Sequence, residues 1–186
     1  DSKGHIAVEP VAPSASLFKI VTSAALIEDA KLRPSSRVCY VGEVSKRPVD
    51  LQIKTNEGPD RQCTTFADAF GESNNPVFAH LSHQHLSAHQ LRTWSARFGY
   101  NEPLPFHIQG RSSQSNLPED PMDLARAAAG FWNTTLSPLH ASLIVASVGN
   151  GGIMMRPNII EELIDAEGQT VYTFEPTPYK RIMSAD

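Results

Sequence analysis

The sequence is poor in cysteine, in clustered charge and in long apolar runs, and each shortage excludes something. Two cysteines are too few for a disulfide-built scaffold, and Cys39 and Cys63, 24 positions apart, do not have a metal-ligand spacing. They can close one disulfide in an oxidising compartment or stand as two partly buried thiols; composition leaves both open. The 16 lysines and arginines are scattered among 20 acidic residues, for a net charge of −4, which argues against a nucleic-acid surface. No apolar run is long enough to cross a bilayer. Asp1-Ser2-Lys3-Gly4 does not read as a signal peptide, so any exporting or anchoring segment is expected outside these residues. No repeat, low-complexity tract or cofactor motif stands out, and no cofactor is expected. What remains is an ordinary globular composition, 40% hydrophobic and 19% charged, over 186 residues, enough for one domain with a core.

One stretch organises the rest. Pro13-Ser14-Ala15-Ser16-Leu17-Phe18-Lys19 opens a helical run in which Leu17, Ile20, Val21, Ala24, Ala25 and Ile27 give a broad apolar face. The spacing predicts a helix from about Ala15 to Asp29, buried along most of its length. Ser16 and Lys19, three apart, share a face and can touch. A serine hydroxyl beside an amine that can take its proton is the start of nucleophilic acyl chemistry. The plainer account is that Ser16 caps the helix.

Along the chain, Gly4–Glu9 reads as a short strand broken by Pro10 to Pro13. Residues 32–63 are loop-rich, with strand-like pieces at Arg37–Val41 and Val49–Lys54. Lys54-Thr55-Asn56 lacks the glycine of a Lys-Thr-Gly triplet and carries little weight. A helix starts near Thr64. Ser73-Asn74-Asn75-Pro76 breaks it, with Pro76 suited to the first turn of a further helix. Ser73 and Asn75 either present a hydroxyl and an amide to a site or form an ordinary capping loop. A helix is expected over Ser87–Phe98. His80, His83, His85 and His89 do not collect on one face, so surface histidines are expected here, and no metal. Tyr100–Met122 is long and irregular, which implies a functional loop or one braced by neighbours. Asp123–Phe131 reads as a short helix. Ser137-Pro138 caps a helix running to Val148, which ends in Gly149-Asn150-Gly151-Gly152. Asn158–Ile164 and Thr170–Phe174 flank Asp165–Gln169 as a β-hairpin. Glu175–Asp186 shows no pattern.

In order and spacing, these blocks resemble the transpeptidase domain of penicillin-binding proteins. Ser14-Ala15-Ser16-Leu17-Phe18-Lys19 is similar to the family's Pro-Gly-Ser-x-Phe-Lys, and Ser73-x-Asn75 to its Ser-x-Asn, here 57 positions after Ser16. Phe98-Gly99-Tyr100, Leu136-Ser137-Pro138-Leu139-His140-Ala141 and Asn150-Gly151-Gly152…Pro157 resemble three further blocks. The resemblance covers nearly the whole chain. It implies an α+β fold of the β-lactamase/transpeptidase kind, with residues 1–186 forming part of that domain. This part is mainly helical, with a short N-terminal strand and a late hairpin, and it lacks most of the central antiparallel sheet.

The resemblance also implies roles. Ser16 attacks a D-Ala carbonyl of a peptidoglycan stem peptide, or a β-lactam. Lys19 is the base, Ser73 relays a proton and Asn75 binds the substrate amide and holds Lys19. The Ser16 amide serves as one oxyanion donor. A lysine that works as a base near neutrality needs its pKa lowered by about three units, roughly 4 kcal/mol. Such a protein works in the periplasm or on the outer face of the bacterial cytoplasmic membrane, anchored by a segment outside this chain, alongside cell-wall synthesis partners. That location favours the disulfide. A serine β-lactamase or β-lactam sensor and a non-catalytic scaffold are the alternatives; Arg111–Met122 holds no convincing glutamate block for lactamase deacylation, although Glu119 lies there. Two blocks depart from the pattern: Pro-Gly is Ser14-Ala15, and Gly-Gln-Gly is replaced around Phe131-Trp132-Asn133. The sequence reaches Asp186 before the place where the family's Lys-Thr-Gly strand is expected, so these residues alone are expected to have little activity.

Overall fold

A computed structural model describes residues 5–41 and 61–185. The expected strand piece Val49–Lys54 and the triplet Lys54-Thr55-Asn56 lie outside the described residues. Six α-helices are present among the described residues: α1 (Phe18–Glu28), α2 (Phe66–Gly71), α3 (Asn75–His85), α4 (Ala88–Arg97), α5 (Pro121–Ala128) and α6 (Pro138–Gly149). Nine short strands accompany them: β1 (Ala12–Pro13), β2 (Arg37–Val41), β3 (Arg61–Thr65), β4 (Gln114–Ser115), β5 (Thr134–Leu136), β6 (Ile153–Met155), β7 (Glu162–Ile164), β8 (Thr170–Thr173) and β9 (Pro178–Arg181). The mixture is the α+β class expected, with the helices dominant.

α1 is the centre. Phe18, Val21, Ala24, Ala25 and Leu26 on it are buried, and it packs against α3, α4 and α5. Ile20 and Ile27, with Phe70 of α2 and Val145 and Val148 of α6, border an open apolar groove of about 640 Å³.

The helix starts follow local chemistry. Asn74 caps α3 by accepting from the Val77 amide, with Pro76 in the first turn where no amide is needed. Ser87 and Gln90 form a reciprocal capping box on α4. Asp120 takes the Met122 and Asp123 amides at α5, and Ser137 takes the His140 amide at α6. Thr65 caps α2 through the Asp68 amide.

The strands form one three-stranded sheet, β1-β5-β4, and three antiparallel pairs, β2-β3, β6-β9 and β7-β8. The β7-β8 hairpin lies within the stretch expected from the sequence, turning through Gly168 at φ +81°. β2 has the expected limits, and its partner β3 sets Cys39 directly opposite Cys63. The two form a disulfide.

Several expectations fail. The described part of the expected strand, residues 5–9, is not a strand: Ile6–Val8 form a 3-10 turn. The strand lies instead at Ala12–Pro13, in the stretch read as a break, on the sheet edge where a proline removes no ladder bond. Arg61–Thr65 continues as a strand to the cap of α2, where a helix start near Thr64 was expected. β5 and β9 carry no pattern of their own and exist because β1 and β6 pair with them. α5 starts two residues earlier than expected, at the Asp120 cap. The first helix begins with a 3-10 turn, Ala15–Leu17, before α1 proper. The long 100–120 region is braced: Asn101 bonds Ser113 and Ser115, and Arg92 donates to the Leu117 carbonyl.

Candidate active site

Four polar side chains meet at the start of α1. Lys19 Nζ lies 2.9 Å from Ser16 Oγ, 3.1 Å from Ser73 Oγ and 2.7 Å from Asn75 Oδ1. Ser73 Oγ lies 2.8 Å from Ser16 Oγ. Each of the four residues singled out from the sequence is in this cluster.

The local backbone explains how. Ser16 is in the 3-10 turn and Lys19 in the first turn of α1, so the three-residue spacing brings both side chains to one face. Ser73 follows the end of α2. Its amide bonds the Phe70 carbonyl at 3.0 Å, and the next amide, Asn74, bonds the Ala69 carbonyl at 2.8 Å. That pair of bonds is a Schellman motif, with Ser73 at its left-handed position, φ +54°. Asn74 then caps α3, which leaves Asn75, the first residue of α3, free to turn its amide oxygen to Lys19.

Ser16 is exposed, whereas Lys19 is 1% exposed. Burial penalises the ammonium form and lowers the Lys19 pKa from 10.5 to about 8. Two hydroxyls and an amide oxygen still accept from it, so its position is set from three sides. An amine that loses its proton near pH 8, bonded to an exposed serine, can deprotonate that serine as it attacks an acyl carbon.

Three neighbours were not assigned a role from the sequence. The Phe78 ring, one turn along α3 from Asn75, has its centroid 5.7 Å from Lys19 Nζ; its i+3 spacing from Asn75 is the signal that could have found it. Tyr100 is fully buried and donates to Ser14 Oγ at 3.0 Å. Gly130 lies against the Ala15 carbonyl. Tyr100 stands in the Phe98-Gly99-Tyr100 block that resembles the family, but nothing in that block assigned it a role, and Gly130 left no mark in the local sequence.

The remaining candidates fall elsewhere. His80 is buried, against the expectation of surface histidines, because it faces inward on α3; His83 is half-buried, and His85 and His89 are exposed. Among the described residues no group of three His, Cys, Asp or Glu side chains is placed to hold a metal ion. Glu119 is an exposed carboxylate ion-paired with Arg92.

A mostly helical α+β fold carrying a Ser-x-x-Lys pair closed by a Ser-x-Asn loop defines a class of serine acyl-transfer domains. The family model described as penicillin binding protein transpeptidase domain matches residues 3–186, and the chain belongs to that family. It is 26% identical to the peptidoglycan D,D-transpeptidase PbpA of Mycolicibacterium smegmatis, over 96% of this chain and 37% of that protein. It is also 26% identical to stage V sporulation protein D of Bacillus subtilis, over 92% of this chain and 27% of that protein. The chain therefore spans only about a third of these relatives. Among solved structures, the ceftriaxone acyl-enzyme complex of penicillin-binding protein A from M. tuberculosis superposes with a TM-score of 0.80 at 24% identity, covering 97% of this chain and 41% of that one. That likeness shows the fold. No helix among the described residues is long and apolar enough to cross a membrane.

Proposed function

We propose that the protein carrying this chain is a peptidoglycan D,D-transpeptidase that works through an acyl-enzyme on Ser16. The observation that carries the reading is the Lys19 amine, buried yet bonded to both Ser16 Oγ and Ser73 Oγ. Ser16 Oγ attacks the carbonyl of the penultimate D-Ala of a stem peptide while Lys19 Nζ takes the hydroxyl proton. The Ser16 amide, in the opening turn where amides lack partners within the turn, donates to the oxyanion. The C–N bond to the terminal D-Ala then breaks. Ser73 hands its hydroxyl proton to the leaving nitrogen and is resupplied from Lys19, which leaves an ester on Ser16. The amine of a second stem peptide attacks that ester and returns the proton by the same relay. Asn75 orients Lys19 and the substrate amide. A β-lactam enters the same first step. The disulfide supports action outside the cytoplasm, in the periplasm or on the outer face of the membrane, with cell-wall synthesis partners and an anchor elsewhere in the polypeptide.

The test is covalent labelling of the native-length protein by a fluorescent penicillin. Labelling is expected at Ser16, absent in Ser16→Ala, and slow to turn over. Undiminished labelling of Ser16→Ala would sink the assignment, and rapid hydrolysis of the drug would point to a β-lactamase.

A further inference from the structure

Ala15, immediately before Ser16, sits at φ +48°, a left-handed conformation that an alanine adopts only under constraint. Ser16 reaches Lys19 from this turn, so whatever holds Ala15 there sets the position of the nucleophile. The peptide groups on both sides are gripped by residues far away in sequence. The Ser14 amide donates to the Thr134 carbonyl of β5 at 3.2 Å. Ser14 Oγ, buried, accepts from the Tyr100 hydroxyl at 3.0 Å, and so makes no side-chain cap to the turn it precedes. The Ala15 carbonyl packs on Gly130, where an added Cβ would fall 2.1 Å from that oxygen. On the far side of Ser16, the Phe18 ring meets the Tyr100 ring edge-on at 5.5 Å between centroids.

The geometry points to Tyr100 as a positioning residue for Ser16: its hydroxyl fixes Ser14 and its ring fixes Phe18, so the left-handed turn between them is held in the form that presents Ser16 Oγ to Lys19. A single neutral hydrogen bond and one left-handed alanine are of similar energetic size, so losing the bond is enough to let the turn relax. The burial that pushes the Tyr100 phenol up to about 12 keeps it protonated, and so a donor, at every working pH. Tyr100 acts through Ser14 and touches no reacting atom.

This inference rests on Ser16 being the nucleophile, and its test separates the two claims. In the native-length protein, Tyr100→Phe keeps the ring and removes only the hydroxyl. The acylation rate constant of the fluorescent penicillin is expected to fall on the order of tenfold, with the binding constant for the intact drug moving less than about twofold. Ser14→Ala is expected to give the same loss, and the double variant no further loss. In an Ala15→Gly background the turn carries no strain, and Tyr100→Phe is then expected to cost less than about twofold. Wild-type labelling rates in Tyr100→Phe, or the same loss with and without Ala15→Gly, would overturn the inference. If the wild-type protein takes no label, the functional reading fails. The clamp is then judged from the Ala15 Cα and Cβ chemical shifts in Tyr100→Phe: a move away from left-handed values supports it, and unchanged values overturn it.

Discussion

The two serines that meet at Lys19 arrive by different backbone devices, although each depends on a left-handed residue that is not glycine. At Ser73 the positive φ belongs to the serine itself, and the Schellman bonds that fix it, Ser73 to Phe70 and Asn74 to Ala69, are made within the helix end that produces it. At Ser16 the positive φ belongs to the preceding Ala15, and the local 3-10 bonds of its turn, Leu17 amide to Ser14 carbonyl and Phe18 amide to Ala15 carbonyl, are joined by contacts from distant segments. That added support comes from Tyr100, Gly130 and Thr134, brought in by the long loop, the end of α5 and β5. One half of the site is built by its own helix end, whereas the other leans on the rest of the fold as well as on its own turn. The Ser73 side should therefore tolerate changes elsewhere, and the Ser16 side should not.

The most severe way to break the comparison is at the two glycines that end helices beside each turn. Gly130 stands at φ +93° with the Ala15 carbonyl where its Cβ would go. Gly130→Ala is expected to cost about 3 kcal/mol or more in stability and to abolish acylation of Ser16, since both the backbone and its neighbour would have to move. Gly71, at the end of α2 two residues before Ser73, has nothing within 4 Å of its Cβ position and no positive φ. Gly71→Ala is expected to be neutral or stabilising by up to about 1 kcal/mol, with acylation retained. Denaturant melts and penicillin labelling of the two variants decide it. Equal effects would mean that the asymmetry between the turns does not exist.

A smaller but sharper test uses pH. Lys19 must be neutral to accept a proton, and burial brings its pKa to about 8. Below that value the protonated fraction grows, so the acylation rate is expected to fall with decreasing pH, approaching tenfold per unit well below the midpoint. Asn75→Ala removes one of the three oxygens that stabilise the ammonium, which should shift the midpoint down while lowering the overall rate through lost orientation. A pH–rate profile of both proteins checks this. A midpoint that does not move would mean that Asn75 has no electrostatic hold on Lys19.

The same asymmetry explains what the sequence could and could not reveal. Ser16 and Lys19 were legible because helix periodicity alone brings residues three apart together. Ser73, Asn75 and the caps at Ser87, Asp120 and Ser137 sit where local hydrogen bonding decides the structure, and residue type reports it. The β7-β8 hairpin was legible because two apolar runs flank a Gly168 turn. β1, β5 and β9 were not: they are two to four residues long and are strands only through their partners, for β1 and β5 more than a hundred positions apart. The Tyr100–Ser14 bond joins residues 86 positions apart, and no spacing rule reaches that far. Ala15 in a left-handed turn contradicts its own propensity, as happens where tertiary packing overrides local preference at a functional position.

The finest test of the comparison lies beneath the Tyr100 clamp. His140 is fully buried on α6; its ring is 5.1 Å from that of Tyr100, and its Nε2 is 2.8 Å from the Phe98 carbonyl. Burial lowers its pKa below the usual 6.5. The Phe98 carbonyl opposes that shift, the Lys180 charge adds to it and the Glu102 charge resists it. The folded state thus binds the His140 proton less readily than the unfolded state does. The stability it contributes is complete above about pH 6.5 and is lost as the pH falls from there toward the folded pKa. Wild-type protein is expected to melt at progressively lower temperature as the pH falls from 7 to 5, and His140→Gln, which can still donate to Phe98, to melt with a flatter pH dependence. Because His140 packs on Tyr100 and not on the Ser73 loop, the acid-induced change should appear first in the Ala15 and Ser16 amide resonances and last in those of Ser73 and Asn74. Simultaneous changes in both turns would show that the two halves of the site share one support.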